Sequence, residues 1–168
     1  MMPDVGRCGL CRNSRELVIS HLVPAAAYKP AQGLRVGATV VVRRKAFFTS
    51  KQVSAHFLCN ACEQRFQGCG EDDVLPQSYQ PDGQFKLREL LQAMRPLESR
   101  PQGTVYDVQP LLGKRIESYL YFAASIFWRA SAHRWRLGRE WLDRISLGPY
   151  QEPFRQYLLN EAPLALSK

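Results

Sequence analysis

Two short cysteine pairs, Cys8-Gly9-Leu10-Cys11 and Cys59-Asn60-Ala61-Cys62, constrain this chain more than any other feature. A Cys-x-x-Cys step presents two sulfurs from one tight turn or from the first turn of a helix. Two such steps complete a tetrahedron around a single metal ion, and zinc is the usual occupant of four thiolates. Residues 12–58 then become a loop closed by metal, and the rest of the chain packs onto that knot. Disulfides are the competing reading. The chain has five cysteines, so pairing would strand one. The stretch Met1-Met2-Pro3-Asp4-Val5-Gly6-Arg7 also lacks the apolar segment of a secretory signal. A reducing, cytoplasmic setting with bound Zn2+ is therefore expected. Cys69 is the spare cysteine and reads as a free thiol.

The 168 residues suffice for one domain, or for a small module with an extension. No run approaches the roughly 20 apolar residues that a membrane helix needs, so no membrane partner is expected. The formal net charge is +8, and its distribution says more than its sum. Residues 1–58 carry nine Lys and Arg against two Asp and Glu, and residues 111–168 carry nine against five. The middle, 59–110, carries five against eight. Two basic ends suit a polyanion, of which nucleic acid is the commonest. A basic but inert surface is the plainer alternative. There is no glycine-rich phosphate loop and no local sign of a Ser/His/Asp triad, which argues against nucleotide hydrolysis and dinucleotide chemistry.

Between the cysteine pairs, Glu16-Leu17-Val18-Ile19-Ser20-His21 is apolar and β-branched enough for a strand, and Pro24 soon ends it. Residues 24–35 read as loop, with one helical turn at 25–28. Val36–Val42 is a second β-rich run, and 53–58 a third that leads into Cys59. Arg43-Arg44-Lys45 beside Phe47-Phe48 suits either a backbone-phosphate contact or a solvated hairpin tip. A helix is expected from Asn60 to about Gln67, stopped by Gly68, with the second cysteine pair in its first turn. Knuckle, hairpin and ligand-bearing helix make a treble-clef arrangement. The overall class is α+β: a zinc module over 1–70, an acidic linker with a short helix over 71–110, and a helical extension over 111–168. Residues 68–83 are rich in Gly, Pro and acid and read as linker, followed by an amphipathic helix at 85–94. The longest helix is expected over 112–134. Leu112, Ile116, Tyr119, Leu120, Ala123, Ile126, Phe127 and Ala130 recur there at steps of three and four, so that face is expected to be apolar throughout. A further helical turn or two is expected at 140–145, and a last short helix at 154–160.

Taken together, Cys-x-x-Cys, strand, His21-x-x-Pro24, hairpin, Leu58-Cys59-x-x-Cys62 and helix resemble the zinc-bearing branch of the HNH (ββα-metal) endonucleases, over roughly residues 8–67. The resemblance implies a phosphodiester hydrolase acting on nucleic acid, DNA before RNA, in a bacterial defence or mobile-element setting. Such chemistry needs a base to activate water and a divalent cation, Mg2+ or Mn2+, to neutralise the leaving oxygen. By the resemblance, His21 is the base. Glu63 stands where the family has a His or Asn metal ligand, and a carboxylate suits a hard cation. The zinc would be structural, since four thiolates leave no open position. Ser20 stands where the family often carries an acidic or histidine ligand. Ser54 stands near the place of the middle asparagine, with His56 close by, and these three are the assisting candidates. Only the first letter of the motif is matched. A non-catalytic zinc module of the same fold, binding nucleic acid or a partner protein, is therefore carried as the alternative. For Glu63 alone, an ordinary acidic residue stabilised at a helix N-terminus is the simpler reading.

The C-terminal half adds Trp128-Arg129 and His133-Arg134-Trp135-Arg136, continuing to Arg139 and Trp141. Interleaved Arg and Trp can grip phosphates and stack on bases. Trp128 and Trp135 are expected instead to pack the C-terminal helices against the zinc module, as tryptophan is usually largely buried. The arginines are left open between phosphate contact and a solvated surface. The same helices offer an apolar face to a protein partner.

Overall fold

The computed structural model describes residues 4–32, 38–42, 45–49, 51–78, 80 and 82–164. It is a mixed helix-and-sheet protein built around a cluster of four cysteines. Strands β1 (Val5–Arg7), β2 (Ser14–His21) and β5 (Ser54–Cys59) form an antiparallel sheet in the order β1-β2-β5. The first cysteine pair lies in the turn between β1 and β2, and the second begins where β5 runs into α2 (Asn60–Phe66). Between β2 and β5 the chain makes helix α1 (Ala25–Gln32) and a separate hairpin, β3 (Ala38–Val42) with β4 (Lys45–Thr49). The sequence reading allowed only one helical turn at the start of α1. The helix runs on through Pro30 to Gln32. The Tyr28 hydroxyl lies 3.3 Å from the Val53 N–H, which donates to it and ties α1 to the approach of β5.

The β2–β5 pairing holds one irregularity, on which the packing turns. Val18 pairs with Leu58 but Ile19 pairs with His56, so Phe57 is an extra residue on β5. A bulge of this kind frees backbone groups and lets neighbouring residues face the same way. Here the Phe57 carbonyl accepts the Gly9 N–H at 2.9 Å, and the Leu58 N–H donates to the Ser20 hydroxyl at 3.1 Å. Phe57, Leu58 and Cys59 are therefore buried in succession. The Phe57 ring stacks on Trp128 at 5.6 Å and meets the edge of Trp135 at 5.7 Å.

Gly68 does not stop the second helix. The backbone widens into a π-helical turn at Gln67–Glu71, then continues as α3 (Asp72–Val74) and a 3-10 turn at Leu75–Gln77. The expected linker is thus helical over its first half. A Cβ on Gly70 would stand 3.1 Å from the Phe122 backbone, so this glycine is where two helices touch rather than where one ends. Beyond it come α4 (Lys86–Gln92), with no fully buried residue, and a small exposed hairpin, β6 (Glu98–Arg100) with β7 (Gly103–Val105). A short helix, α5 (Gln109–Leu112), is broken from the long one by Gly113 at φ +50°, and α6 then spans Ile116–Ala132. The helix expected over 112–134 is thus shorter at its start, beginning at Ile116 after a 3-10 turn at Gly113–Arg115.

Helix α6 turns part of its expected face outward, while Ile116, Tyr119, Ile126 and Ala130 are half-buried. Leu120 is 49% exposed and Phe127 55%, whereas Tyr121, Ser125, Trp128 and Arg129 are buried. After α6 the chain forms a tight hairpin, β8 (Arg136–Leu137) with β9 (Glu140–Trp141), in place of the helical turn expected at 140–145. Gly138 at φ +61° closes it. Helix α7 (Gln151–Leu158) follows a 3-10 turn at Gly148–Tyr150 and starts three residues before the expected 154. It is stitched back to the start of the chain: Tyr121 donates to the Leu158 carbonyl at 2.7 Å, and Arg155 to the Leu10 carbonyl at 3.0 Å. One hydrophobic cluster joins Cys8, Leu10, Phe57, Cys62, Phe66, Trp128, Trp135 and Leu158. Trp128 and Trp135 are buried, as expected. No helix among the described residues is long and apolar enough to cross a membrane.

Candidate metal centre and the groove beside it

Chain geometry alone brings the four thiols together. The Cys8–Cys11 turn folds back so that the Cys8 N–H donates to the Asn13 carbonyl and the Arg12 N–H to the Cys8 carbonyl, both at 2.9 Å. Arg12 takes a left-handed conformation at φ 63° to close the turn. Cys59, extended at φ −79°, ψ 159°, caps α2, and Cys62 sits in its first turn. The γ-sulfurs of Cys8, Cys11, Cys59 and Cys62 lie within 4.8 Å of one another, with Cys11 and Cys59 at 3.9 Å. Sulfurs at the corners of a tetrahedron with metal–sulfur bonds of about 2.3 Å stand about 3.8 Å apart, so this spacing suits an ion at the centre. None of the five cysteines is in a disulfide. Cys69 stands apart from the cluster, packed against the core.

The donor set itself calls for a cation. The Cys62 thiol, hydrogen-bonded to Cys8, holds the Cys8 sulfur down to about 4, helped by backbone N–H groups that include Cys59. The same bond pushes Cys62 up, and burial adds to it. Burial also raises Cys11. Three buried sulfurs and a half-buried one, packed this closely, are together a donor set that suits a cation. Gly9 keeps the knuckle seated, because a Cβ there would fall 2.0 Å from the Phe57 ring. That ring is boxed by Trp128 and Trp135 and cannot retreat. Gly9→Ala is expected to cost about 3 kcal/mol, at the upper end for overpacking. Urea unfolding of the metal-loaded protein checks this, with Gly9→Ala/Phe57→Leu expected to recover part of the loss.

The residues singled out around His21 divide between two faces of the sheet. Successive strand residues point to opposite sides. Ser20 is fully buried, and its hydroxyl serves the bulge, accepting from Leu58. It is not beside His21 as an assisting ligand. His21 faces the other way, directly across from Ser54, and both line an open groove of about 940 Å³. Lys51, Gln52, His133, Arg134, Arg136 and Trp141 form the rest of its polar and aromatic lining. His56 is elsewhere, its Nδ1 3.3 Å from the Asp4 carboxylate on the exposed side of β5. Arg43 and Arg44 lie outside the described residues, as does the side chain of Lys45.

Glu63 is not at this groove either. Its carboxylate faces Arg129, 3.8 Å from Nη2, and its Oε1 is buried without a hydrogen-bond partner. Arg129 is only 1% exposed. It pairs with Glu71 at 2.9 Å and lies over the Phe66 ring at 4.4 Å. An arginine expected at the surface is thus the centre of a buried charge cluster, with Glu63 and Glu71 as its counterions.

Sequence reasoning named Arg134, Arg136 and Trp141 but had no means of joining them to His21. The β8–β9 hairpin makes the connection. The Arg134 guanidinium lies 4.8 Å from the centre of the Trp141 ring, and that of Arg136 5.4 Å. His133 packs at 4.8 Å from Phe57, and burial pushes its imidazole below the ordinary value, which favours the neutral form. Among the described residues that line the groove there is no carboxylate. No protein-family model, curated protein or solved structure matches the chain.

Proposed function

We propose that this protein is a zinc-ordered module of treble-clef, ββα-metal type that binds nucleic acid along the groove beside His21. The observation that carries the reading is the groove's lining: Lys51, Arg134 and Arg136 with Trp141, and no carboxylate among the described lining residues. Cationic side chains on one wall suit a phosphate backbone. Zinc is the metal assigned to the cysteine cluster, because four thiolates in a tetrahedron suit Zn2+ and leave it purely structural. The zinc holds the two ends of β2 and β5 and the start of α2, and the groove is built on the far face of that sheet.

Binding is tested by fluorescence anisotropy of labelled oligonucleotides against zinc-loaded protein over a range of salt. Arg134→Gln/Arg136→Gln is expected to weaken binding and to flatten the salt dependence, by a slope of about 0.7–0.9 for each phosphate that is no longer neutralised. Affinity unchanged by the double substitution sinks the proposal.

A second reading, the endonuclease of HNH type, is favoured by one observation: the His21 imidazole opens onto the same groove. A phosphodiester lying there would have a general base within reach of an attacking water. Against it stand Ser20 and Glu63, the first engaged with Leu58 and the second with Arg129. Cleavage of plasmid and single-stranded DNA in Mg2+ or Mn2+ separates the readings. A nuclease loses cutting in His21→Ala and keeps binding, whereas a binding module cuts in neither form.

A further inference from the structure

Of the three tryptophans, Trp128 and Trp135 are buried, and the Trp135 indole N–H is spent on the Arg129 carbonyl at 2.8 Å. Trp141 is different: its ring is 43% exposed and lines the groove. The guanidinium groups of Arg134 and Arg136 lie over its indole. The support is rigid. Arg136 and Trp141 are directly paired across the hairpin, Leu137 is buried in the core, and the Leu142 N–H donates to the Trp135 carbonyl at 3.0 Å. A guanidinium stacked on a ring keeps its N–H donors in its own plane, where they can meet phosphate oxygens at the ring's edge.

We infer that the groove selects single-stranded nucleic acid over duplex, with Trp141 as the platform on which an unpaired base stacks and Arg134 and Arg136 as its phosphate contacts. The inference rests on the nucleic-acid reading above and goes beyond it in naming the substrate form. In a duplex, both faces of each base are covered by its neighbours, so the indole has nothing to stack on. In a single strand every base offers a face, whatever its identity. Selectivity then comes from stacking, and general affinity from the arginines. The site is therefore tolerant of sequence and does not depend on the 2′-hydroxyl.

The test is anisotropy with labelled oligo-dT, oligo-U and a blunt duplex of about the same length, using the full zinc-loaded chain. The wild type is expected to bind both single strands more tightly than the duplex. Trp141→Ala is expected to weaken single-strand binding about tenfold and to weaken duplex binding by clearly less. Trp141→Phe, which keeps a ring, should restore most of the loss. Equal losses on strand and duplex, or no loss on the strand, overturn the inference while the groove can still bind phosphate. Failure of any nucleic acid to bind removes both this inference and the reading beneath it. Binding of oligo-U alone overturns the stacking account in favour of recognition of the ribose.

Discussion

Removing the zinc proposed for the cysteine cluster is expected to unfold this protein as one unit. A chelator, or Cys59→Ser, takes away a binding free energy on the order of 10 kcal/mol, comparable to the whole stability of a domain this size. The loss should not stay local. Cys8, Cys59 and Cys62 belong to the same hydrophobic cluster as Phe66, Trp128, Trp135 and Leu158, so the sheet and the C-terminal helices share one core. Far-UV circular dichroism and tryptophan fluorescence should therefore collapse together on chelation and return together on adding Zn2+. Two separate transitions, or a dichroism spectrum indifferent to chelator, would refute the structural role of the metal. Acid should act in the same direction, because the thiolates must be protonated to release the ion.

Arg129→Ala is expected to be the most damaging single substitution away from the cysteines. It leaves Glu63 and Glu71 facing a buried space without their cation, and breaking a buried ion pair on one side typically costs about 3–5 kcal/mol. The Phe66 ring loses the guanidinium lying over it as well. The control is Arg129→Met with Glu63→Gln and Glu71→Gln, which removes the charges together. It should recover most of the stability, since the penalty comes from the unpaired carboxylates rather than from a large net gain by the pair. Denaturation midpoints of the single and triple variants decide it. A triple variant no better than Arg129→Ala means that packing of the arginine side chain, not charge, dominates.

The same two sites mark how far the chain can be read without coordinates. The cysteine cluster was legible because a Cys-x-x-Cys step fixes two sulfurs within one turn, whatever surrounds it. Strands β2 and β5 and helix α2 were legible because β-branched runs and a helical start after Cys59 are local signals. The charge cluster was not, since nothing near Arg129 in sequence says that Glu63 and Glu71 will meet it. Helix α6 misled for a related reason. It is apolar on more than one side, and periodicity selected the stripe of Leu120 and Phe127, which remains exposed. The side actually buried was chosen by a partner, the widened turn at Gln67–Glu71, where Gly70 admits the Phe122 backbone. Glycines at 68 and 70 look like linker composition until the helix they touch is known.

From residue order alone came a cluster of four cysteines that could hold a metal ion, an α+β module around it, basic ends, and a histidine placed just before Pro24. These follow from spacing and side-chain chemistry over a few residues. Only the tertiary structure decided that Ser20 turns inward to serve a bulge, that Glu63 answers a buried arginine, and that His21 shares a groove with Arg134, Arg136 and Trp141. Each of those outcomes depends on contacts across tens of residues of sequence, where a one-residue shift in strand register or a single close helix approach changes which side chain faces which neighbour.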